Sequence, residues 1–381
     1  MGCKTVCIGD VAAYRKTTVK PLEGTIYNCY SLPAFDNNRT PETLDGSAIL
    51  SSKLRVEEGD ILVNKLNMRF KRIWPLHSLK PNSICSTEFM PLVPNDDIDP
   101  RYLLYVLTSD RFTNRLSGMR TGTSGSHQRV KPEWILEYSF PLPDMITQER
   151  IGSVLGTIDD KIALNNQLNG YLAALGETMA NRCSNETDGT LDDICSQSKE
   201  TVSLEAAQLE TYVSTENLLP NKAGLQLSAG LPTSGKVTRY RKGDTLVANI
   251  RPYFKKIWCA TDEGTCSGDV IVFRANDARY APYVFFSLCR DEFFEYVMLG
   301  AKGTKMPRGD KKQMMTFPIC TNCNSTDLQL LQELASTIGA NHAENRQLAR
   351  LRDTLLPKLM SGEIDVSKVD PTQLNSHLAD C

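Results

Sequence analysis

The chain has 381 residues, 41% hydrophobic and 23% charged, with a formal net charge of −2. That length suits two to three cores of ordinary size, and the near-neutral balance excludes a uniformly basic nucleic-acid binder. With a polar start at Met1-Gly2-Cys3-Lys4 and no apolar run near the ~18 residues of a membrane span, a cytoplasmic location is expected.

Residues 25–32, 60–64, 89–93 and 136–141 are short, β-rich and bounded by Gly, Pro or Asn, and read as strands. Residues 100–116 read as an amphipathic helix. After Pro141-Leu142-Pro143 the period changes: Ile151, Leu155, Ile158, Ile162, Asn165, Leu168, Leu172 and Leu175 recur every three or four residues, predicting a long helix with Thr147 as N-cap. The series then runs again. Strands are expected at 211–214, 245–250, 270–274 and 316–319, a helix at 281–299, and a second long helix from near Asn324. Its stripe is Leu331, Leu334, Ile338, Asn345, Leu348, Leu351, Leu355 and Leu359, ending at Gly362 with a kink at Pro357.

The repetition is also literal. Gly59-Asp60-Ile61-Leu62-Val63 leading to Phe70-Lys71-Arg72-Ile73-Trp74 returns as Gly243-Asp244-Thr245-Leu246-Val247 leading to Phe254-Lys255-Lys256-Ile257-Trp258, eight identities in sixteen positions at an offset of 184. Average residue usage would give about one. The correspondence continues downstream with Asp110 and Asp291, Gly122 and Gly303, Phe140 and Phe317, and Asn165 and Asn345. A period this long is a duplicated domain, not a solenoid repeat. The fold class is therefore α+β, two tandem mixed α/β domains each followed by a long helix. Narrow apolar stripes interrupted by Asn165 and Asn345 predict that the two helices pair as a coiled coil, with a buried Asn fixing register. The pairing residues are Ile151, Leu155, Ile158, Ile162, Leu168 and Leu172 against Leu334, Ile338, Leu348, Leu351 and Leu355. About 35 paired residues span roughly 50 Å, or around 15 base pairs, so the helices would serve as a ruler.

Positive charge is concentrated at duplicate positions. The first copy carries Lys65, Arg69, Lys71 and Arg72 within eight residues, and residues 235–258 hold seven bases against one acid. A second patch pairs Arg120, Arg129 and Lys131 with Lys302, Lys305, Arg308, Lys311 and Lys312. Phosphate binding needs several cations converging on one face, and base reading needs amides, guanidinium groups or hydroxyls beside them. The candidates in the first copy are Asn64, Lys65, Asn67, Arg69, Lys71 and Arg72 with the loop containing Arg120, Thr123, Ser124, His127, Gln128, Arg129 and Lys131. Those in the second are Asn249, Arg251, Tyr253, Lys255 and Lys256 with Lys302 through Lys312. Trp74 and Trp258 each end an apolar strand and are expected in the core.

The order of module, long helix, module, long helix, and then Leu351-Arg352-Asp353-Thr354-Leu355-Leu356-Pro357-Lys358-Leu359-Met360-Ser361-Gly362-Glu363-Ile364, resembles the specificity subunit of type I restriction-modification systems. The helix opening Gln148-Glu149-Arg150-Ile151 through Asp159-Asp160-Lys161-Ile162 carries the same resemblance. It implies target recognition domains at 1–143 and 183–320, each reading half of a bipartite double-stranded DNA sequence, with antiparallel spacer helices at 144–182 and within 321–381. It further implies partners: two methyltransferase subunits docked on the helices, and restriction/translocase subunits. S-adenosylmethionine, ATP and Mg would belong to those partners, with no cofactor in this chain.

Intrinsic catalysis is not expected. Asp144 with Asp159-Asp160-Lys161 mimics a nuclease spacing, but fifteen helical residues separate the acids by about 22 Å. Phosphate-loop and dinucleotide fingerprints are absent from the sequence, as is an Asn-Pro-Pro-Tyr tetrapeptide. Twelve cysteines without regular spacing read as reduced thiols, and Cys320-x-x-Cys323 as a loop bearing two of them, not a metal site. Two other readings fit the pattern: a coiled-coil adaptor joining two protein-binding domains, and the recognition half of a split single-chain restriction-modification enzyme. An adaptor predicts no salt-dependent DNA affinity, and a split enzyme predicts activity from one partner.

Overall fold

The computed structural model describes residues 4–36, 39–119, 129–183 and 187–368. The chain forms two compact units, Met1–Asp160 with Arg350–Cys381, and Lys161–Ala349. The long helices Met145–Cys183 and Ser325–Ser361 each contribute residues to both.

In the first unit an antiparallel sheet runs in the order Ala12–Tyr14, Phe89–Pro94, Ile61–Asn64, Ile73–Pro75. Ile61–Asn64 is buried along its whole length because both faces of the strand are covered. Ile61 and Val63 pack with Tyr102, Leu103 and Val106, whereas Leu62 turns the other way to Trp74 and Phe89. A second sheet orders Thr18–Val19, Lys53–Arg55, Ser83–Cys85, Ile26–Tyr30 and Glu42–Asp45, with Ile26–Tyr30 parallel to Ser83–Cys85.

The second unit repeats this plan without a counterpart of the edge strand Glu42–Asp45. Its first sheet is Cys195–Gln197, Val270–Ala275, Thr245–Ala248, Ile257–Cys259, and its second is Thr201–Ser203, Lys236–Tyr240, Gly264–Cys266, Tyr212–Val213, again with one parallel pair. Trp74 and Trp258 are buried, as expected, against Tyr30 and Tyr240.

The repeated Gly-Asp has a structural cause. Gly59 and Gly243 both take φ +87°, which favours glycine, and each precedes a buried carboxylate. Asp60 accepts from Arg15 at 2.9 and 3.0 Å, and Asp244 from Arg274 at 2.9 and 2.7 Å. Arg15 follows the edge strand Ala12–Tyr14, while Arg274 lies in Val270–Ala275, so equivalent acids are held from different strands.

Each helix expected at 100–116 and 281–299 is in fact two: Pro100–Thr108 and Asp110–Gly118, then Ala281–Cys289 and Asp291–Leu299. Ser109 and Arg290 are extended between them, and the Ser109 hydroxyl accepts from Phe112 N, capping the new helix. The cap of the first long helix is Asp144, not Thr147: its carboxylate accepts from Thr147 N at 2.9 Å, which holds its pKa below the usual range. The second begins with Asn324, whose side chain accepts from Asp327 N, and ends at Gly362 with φ +75°.

Within the first unit, Ile151, Val154 and Leu155 share a core with Leu355, Leu356 and Leu359, and Asp159 accepts from Arg352 at 2.8 Å. Within the second, Asn165 donates to Asn345 Oδ1 at 2.9 Å, Asn345 donates to Asn166, and Asn341 donates to Asn169. Leu172 packs with Leu331, Leu334 and Ile338. Rising numbers on one helix meet falling numbers on the other, so the segments run antiparallel, and the two asparagines meet. Ile158 and Leu348 are buried and Ile162 is partly buried, but Leu168 and Leu351 are exposed. The contact line runs instead through Asn165, Asn169 and Gly176, where the second unit's Phe286 ring takes the space a side chain would fill.

Cys183 and Cys323 form a disulfide, which corrects the expectation of reduced thiols for these two; eight other described cysteines are free, with Cys320 in the core. Among the described residues no helix is long and apolar enough to cross a membrane.

Candidate nucleic-acid interface

Beyond the strand Ile61–Asn64 the chain makes a tight turn in which Asn67 is left-handed at φ 57° and Phe70 N donates to Asn67 O at 3.0 Å. Met68 is buried and anchors the turn, leaving Arg69 and Phe70 exposed. Asn64 holds the loop from beneath. Its amide donates to Leu66 O at 2.8 Å and Phe70 O at 3.2 Å, and its carbonyl accepts from Arg72 N. Fully buried and so engaged, Asn64 shapes the loop and does not present an edge to a ligand.

The second unit makes the same turn with other means. Arg251 is left-handed at φ 53°, a conformation that strains a long side chain more than Asn, and Phe254 N donates to Arg251 O at 3.0 Å. Pro252 is the buried anchor, and Tyr253 and Phe254 are exposed. The brace comes from Asn221 N donating to Phe254 O and Lys222 N to Lys255 O. Lys222 in turn pairs with Glu177 at 2.9 Å and Asp291 at 3.2 Å.

In each unit the two basic segments identified in the sequence are brought together. Val130 N donates to Lys65 O at 2.9 Å and Leu66 bridges Arg129; equivalently, Arg251 N donates to Pro307 O at 2.8 Å and Ile250 bridges Arg308. Duplicated acids hold some of the cations. Lys71 pairs with Asp110 at 2.6 Å as Lys255 pairs with Asp291 at 2.8 Å, and that contact keeps the Asp291 carboxyl below the ordinary range. Arg129 pairs with Glu88 as Arg308 does with Asp269. Both acids recur at one offset, 269 − 88 and 291 − 110 each giving 181. Such pairs fix where a cation stands without removing it from the surface.

The other candidates divide by environment. Arg72 is clamped by both carboxylate oxygens of Asp36, at 2.7 and 2.8 Å. Lys256 is partly buried, donating to Thr215 O, and burial lowers its pKa. Asn249 is buried and lies under Gly309, so it too belongs to the loop's foundation. Lys65 lies 5.9 Å from the Tyr14 ring, and its pKa is lowered by burial. Arg69, Lys131, Lys302, Lys305, Lys311 and Lys312 are exposed. Asp310 caps the helix that starts at Lys311 by accepting from Lys312 N and Gln313 N. Arg120, Thr123, Ser124, His127 and Gln128 lie outside the described residues.

Phe70 and Phe254, exposed on these loops, were not among the expected residues, although identity at one offset marked both. Phenylalanine ordinarily signals core, and only the buried neighbours Met68 and Pro252 reveal that these rings face outward. The acids of the nuclease-like spacing are engaged elsewhere. Asp144 caps a helix, Asp159 holds Arg352 and Tyr105, and Asp160 pairs with Arg101.

Fold and site together define a chain of two tandem mixed α/β domains with long helices, each domain presenting a pair of joined, cation-bearing loops. Residues 2–173 match the family described as the type I restriction modification DNA specificity domain. That stretch is similar to the family's domain. The chain is also similar to the type I restriction enzyme HindI specificity subunit of Haemophilus influenzae, 28% identical over 129 residues, which is 34% of this chain and 28% of that subunit, so the match spans under a third of that relative's length. Among solved structures, the type I restriction-modification S subunit from M. genitalium has a TM-score of 0.54 at 14% identity, covering 94% of this chain and 96% of that one. The HsdS subunit from Thermoanaerobacter tengcongensis has a TM-score of 0.41 at 17% identity, with 95% and 97% covered. The M. genitalium likeness bears on fold.

Proposed function

We propose that this chain is the DNA-recognition subunit of a type I restriction-modification complex, with no reaction of its own. Each of its two modules, in residues 1–143 and 183–320, reads one half of a bipartite duplex target. The observation that carries this reading is the duplicated junction of two basic loops, braced from within and holding its cations at set positions. A protein-binding adaptor has no need of such a cation array at equivalent places in both copies. The long helices in 144–182 and 321–381 set the interval between half-sites and carry two methyltransferase subunits, which restriction/translocase subunits join. Supporting this, Leu164, Leu168, Tyr171 and Leu175 form an exposed apolar row at spacings of four, three and four on the first long helix. Rows of that size mark interaction surfaces. Adenine methylation with S-adenosylmethionine, and the ATP and Mg chemistry of cleavage, belong to the partners; the complex works inside the cell.

Mapping methylated adenines in the native genome, with and without this gene, tests the assignment. A two-part motif that vanishes with the gene supports it. Exchanging residues 1–143 for those of another family member should change one half of that motif; a change in both halves, or neither, refutes the modular reading. Affinity should fall by about 10³ to 10⁵ between 50 and 200 mM salt if six to ten phosphates are contacted.

A further inference from the structure

Phe70 is 48% exposed, Phe254 38% and Tyr253 47%. A single exposed ring needs no explanation, but exposed rings at equivalent positions of two braced turns do. Both turns are fixed at either side of the tip: Met68 and Pro252 are buried before it, and Lys71 and Lys255 are tied to Asp110 and Asp291 after it. Asn64 holds the Phe70 carbonyl, and Asn221 N the Phe254 carbonyl. The left-handed residues Asn67 and Arg251 precede each tip by three positions. The turns are thus braced on both sides of an exposed ring.

Cations border the first tip, and a second ring borders the other. The Arg69 and Arg72 guanidinium groups lie 4.9 and 5.1 Å from the centre of the Phe70 ring. Where the first copy has Arg69, the second has Tyr253, whose ring centre is 4.7 Å from that of Phe254. An exposed ring bordered by groups that attract phosphate matches a surface that is anionic outside and apolar within, which is what a duplex offers at a base step. An apolar protein patch would not select for flanking arginines, and free phosphate would not select for the ring.

We propose that Phe70 in the first module and Phe254 in the second are wedges that press into the duplex and unstack one base step in each half-site. Apolar wedges used this way exchange the cost of unstacking for a bent duplex that meets more of the protein. The inference rests on the DNA-recognition reading above and deepens it. Tyr253 and Arg69, beside equivalent wedges, then give the two halves different neighbours with which to discriminate bases.

The test uses the full chain assembled with its methyltransferase partner, on duplexes carrying the mapped motif with 2-aminopurine placed step by step through each half-site. Apart from the adenine that the methyltransferase extrudes, unaltered protein should brighten the probe at one further step per half-site, and it is this signal that the variants address. Phe70→Ala should abolish the signal in one half only and weaken binding about 5- to 150-fold, the range expected for one lost ring–base contact. Phe254→Ala should do the same in the other half. Phe70→Trp should retain both binding and signal. The slope of affinity against salt should be unchanged by Phe70→Ala but reduced by about one by Arg69→Ala. Because both rings are largely outside the core, melting of the alanine variants should match the parent. Binding within twofold of the parent with an unchanged probe signal overturns the wedge while leaving the recognition reading intact. So does a loss traced to failed subunit assembly. Absence of sequence-specific binding by the unaltered complex overturns both.

Discussion

Arg15→Met removes the cation from a carboxylate that has almost no access to water. Asp60 is 1% exposed and receives two bonds from Arg15, at 2.9 and 3.0 Å. After the substitution it keeps the Glu57 N–H at 3.0 Å, and one amide does not solvate a buried charge. Removing one partner of a buried pair costs about 3–5 kcal/mol. The second contact of Arg15, with the half-exposed Glu57, adds less than about 1 kcal/mol after screening. At roughly 2–4 °C per kcal/mol for a unit of this size, the first unit should melt about 6–20 °C lower. Arg274→Met should act on Asp244 in the second unit alone. Calorimetry of the full chain, with urea denaturation at 25 °C to convert shifts into free energy, reads both. Arg15→Met with Asp60→Asn should recover much of the loss, since the stranded charge is gone. A cost under about 1 kcal/mol for Arg15→Met, or no recovery in the double variant, would refute the argument that the duplicated aspartates are held by charge from different strands.

His342 lies against Gly224, and burial, with Arg346 adding to it, lowers its pKa to about 4. Its unfolded value is near 6.5, so the unfolded chain binds more protons between these limits: stability is complete above about pH 6.5 and declines as pH falls toward 4, by about 3 kcal/mol in all. Denaturant midpoints measured from pH 7.5 to 4 should show that slope in the parent and lose it in His342→Leu. Gly176→Ala places a methyl group 2.3 Å from Phe286 Cε1 and should destabilise the second unit by about 1–3 kcal/mol, seen as an earlier urea midpoint. Cys183→Ser opens a crosslink between residues 140 apart and should cost about 2–5 kcal/mol under oxidising conditions. Dithiothreitol should lower the parent's melting point and leave the variant's unchanged; equal sensitivity in both would count against the bond as a stabiliser.

What could be read beforehand was whatever local pattern decides. Burial on both faces makes Ile61–Asn64 and Thr245–Ala248 continuous apolar runs, so these strands and their offset stood out. The meeting of Asn165 and Asn345 was legible because a polar residue in an apolar stripe has few ways to be satisfied other than by its counterpart. Contacts set by the third dimension were not legible. Nothing near Asp244 in sequence distinguishes Arg274 from seven other bases, and residues 100–116 keep a helical period straight through the break at Ser109. Leu168 fits the stripe in number but faces outward, while Asn165, Asn169 and Gly176 face inward. In the candidate interface, clustering of cations was visible, but their division into clamped and exposed was not, since the acids that clamp them lie elsewhere in the chain.

The two copies agree where geometry is set and differ where contact would be made. Gly59 and Gly243, Asp60 and Asp244, the left-handed Asn67 and Arg251, and the pairs Lys71–Asp110 and Lys255–Asp291 are equivalent. At the exposed positions Arg69 becomes Tyr253, and the brace of the loop changes from a side chain of the preceding strand to the backbone of Asn221 and Lys222. Under the proposed function, a module that presents its loop in a fixed attitude and reads a sequence unlike its twin's would show this division. Substitutions in the frame should therefore abolish one half-site outright. Those at Arg69 or Tyr253 should alter which bases are tolerated there, while Asn64 and the Asn221–Lys222 backbone keep the loop in place.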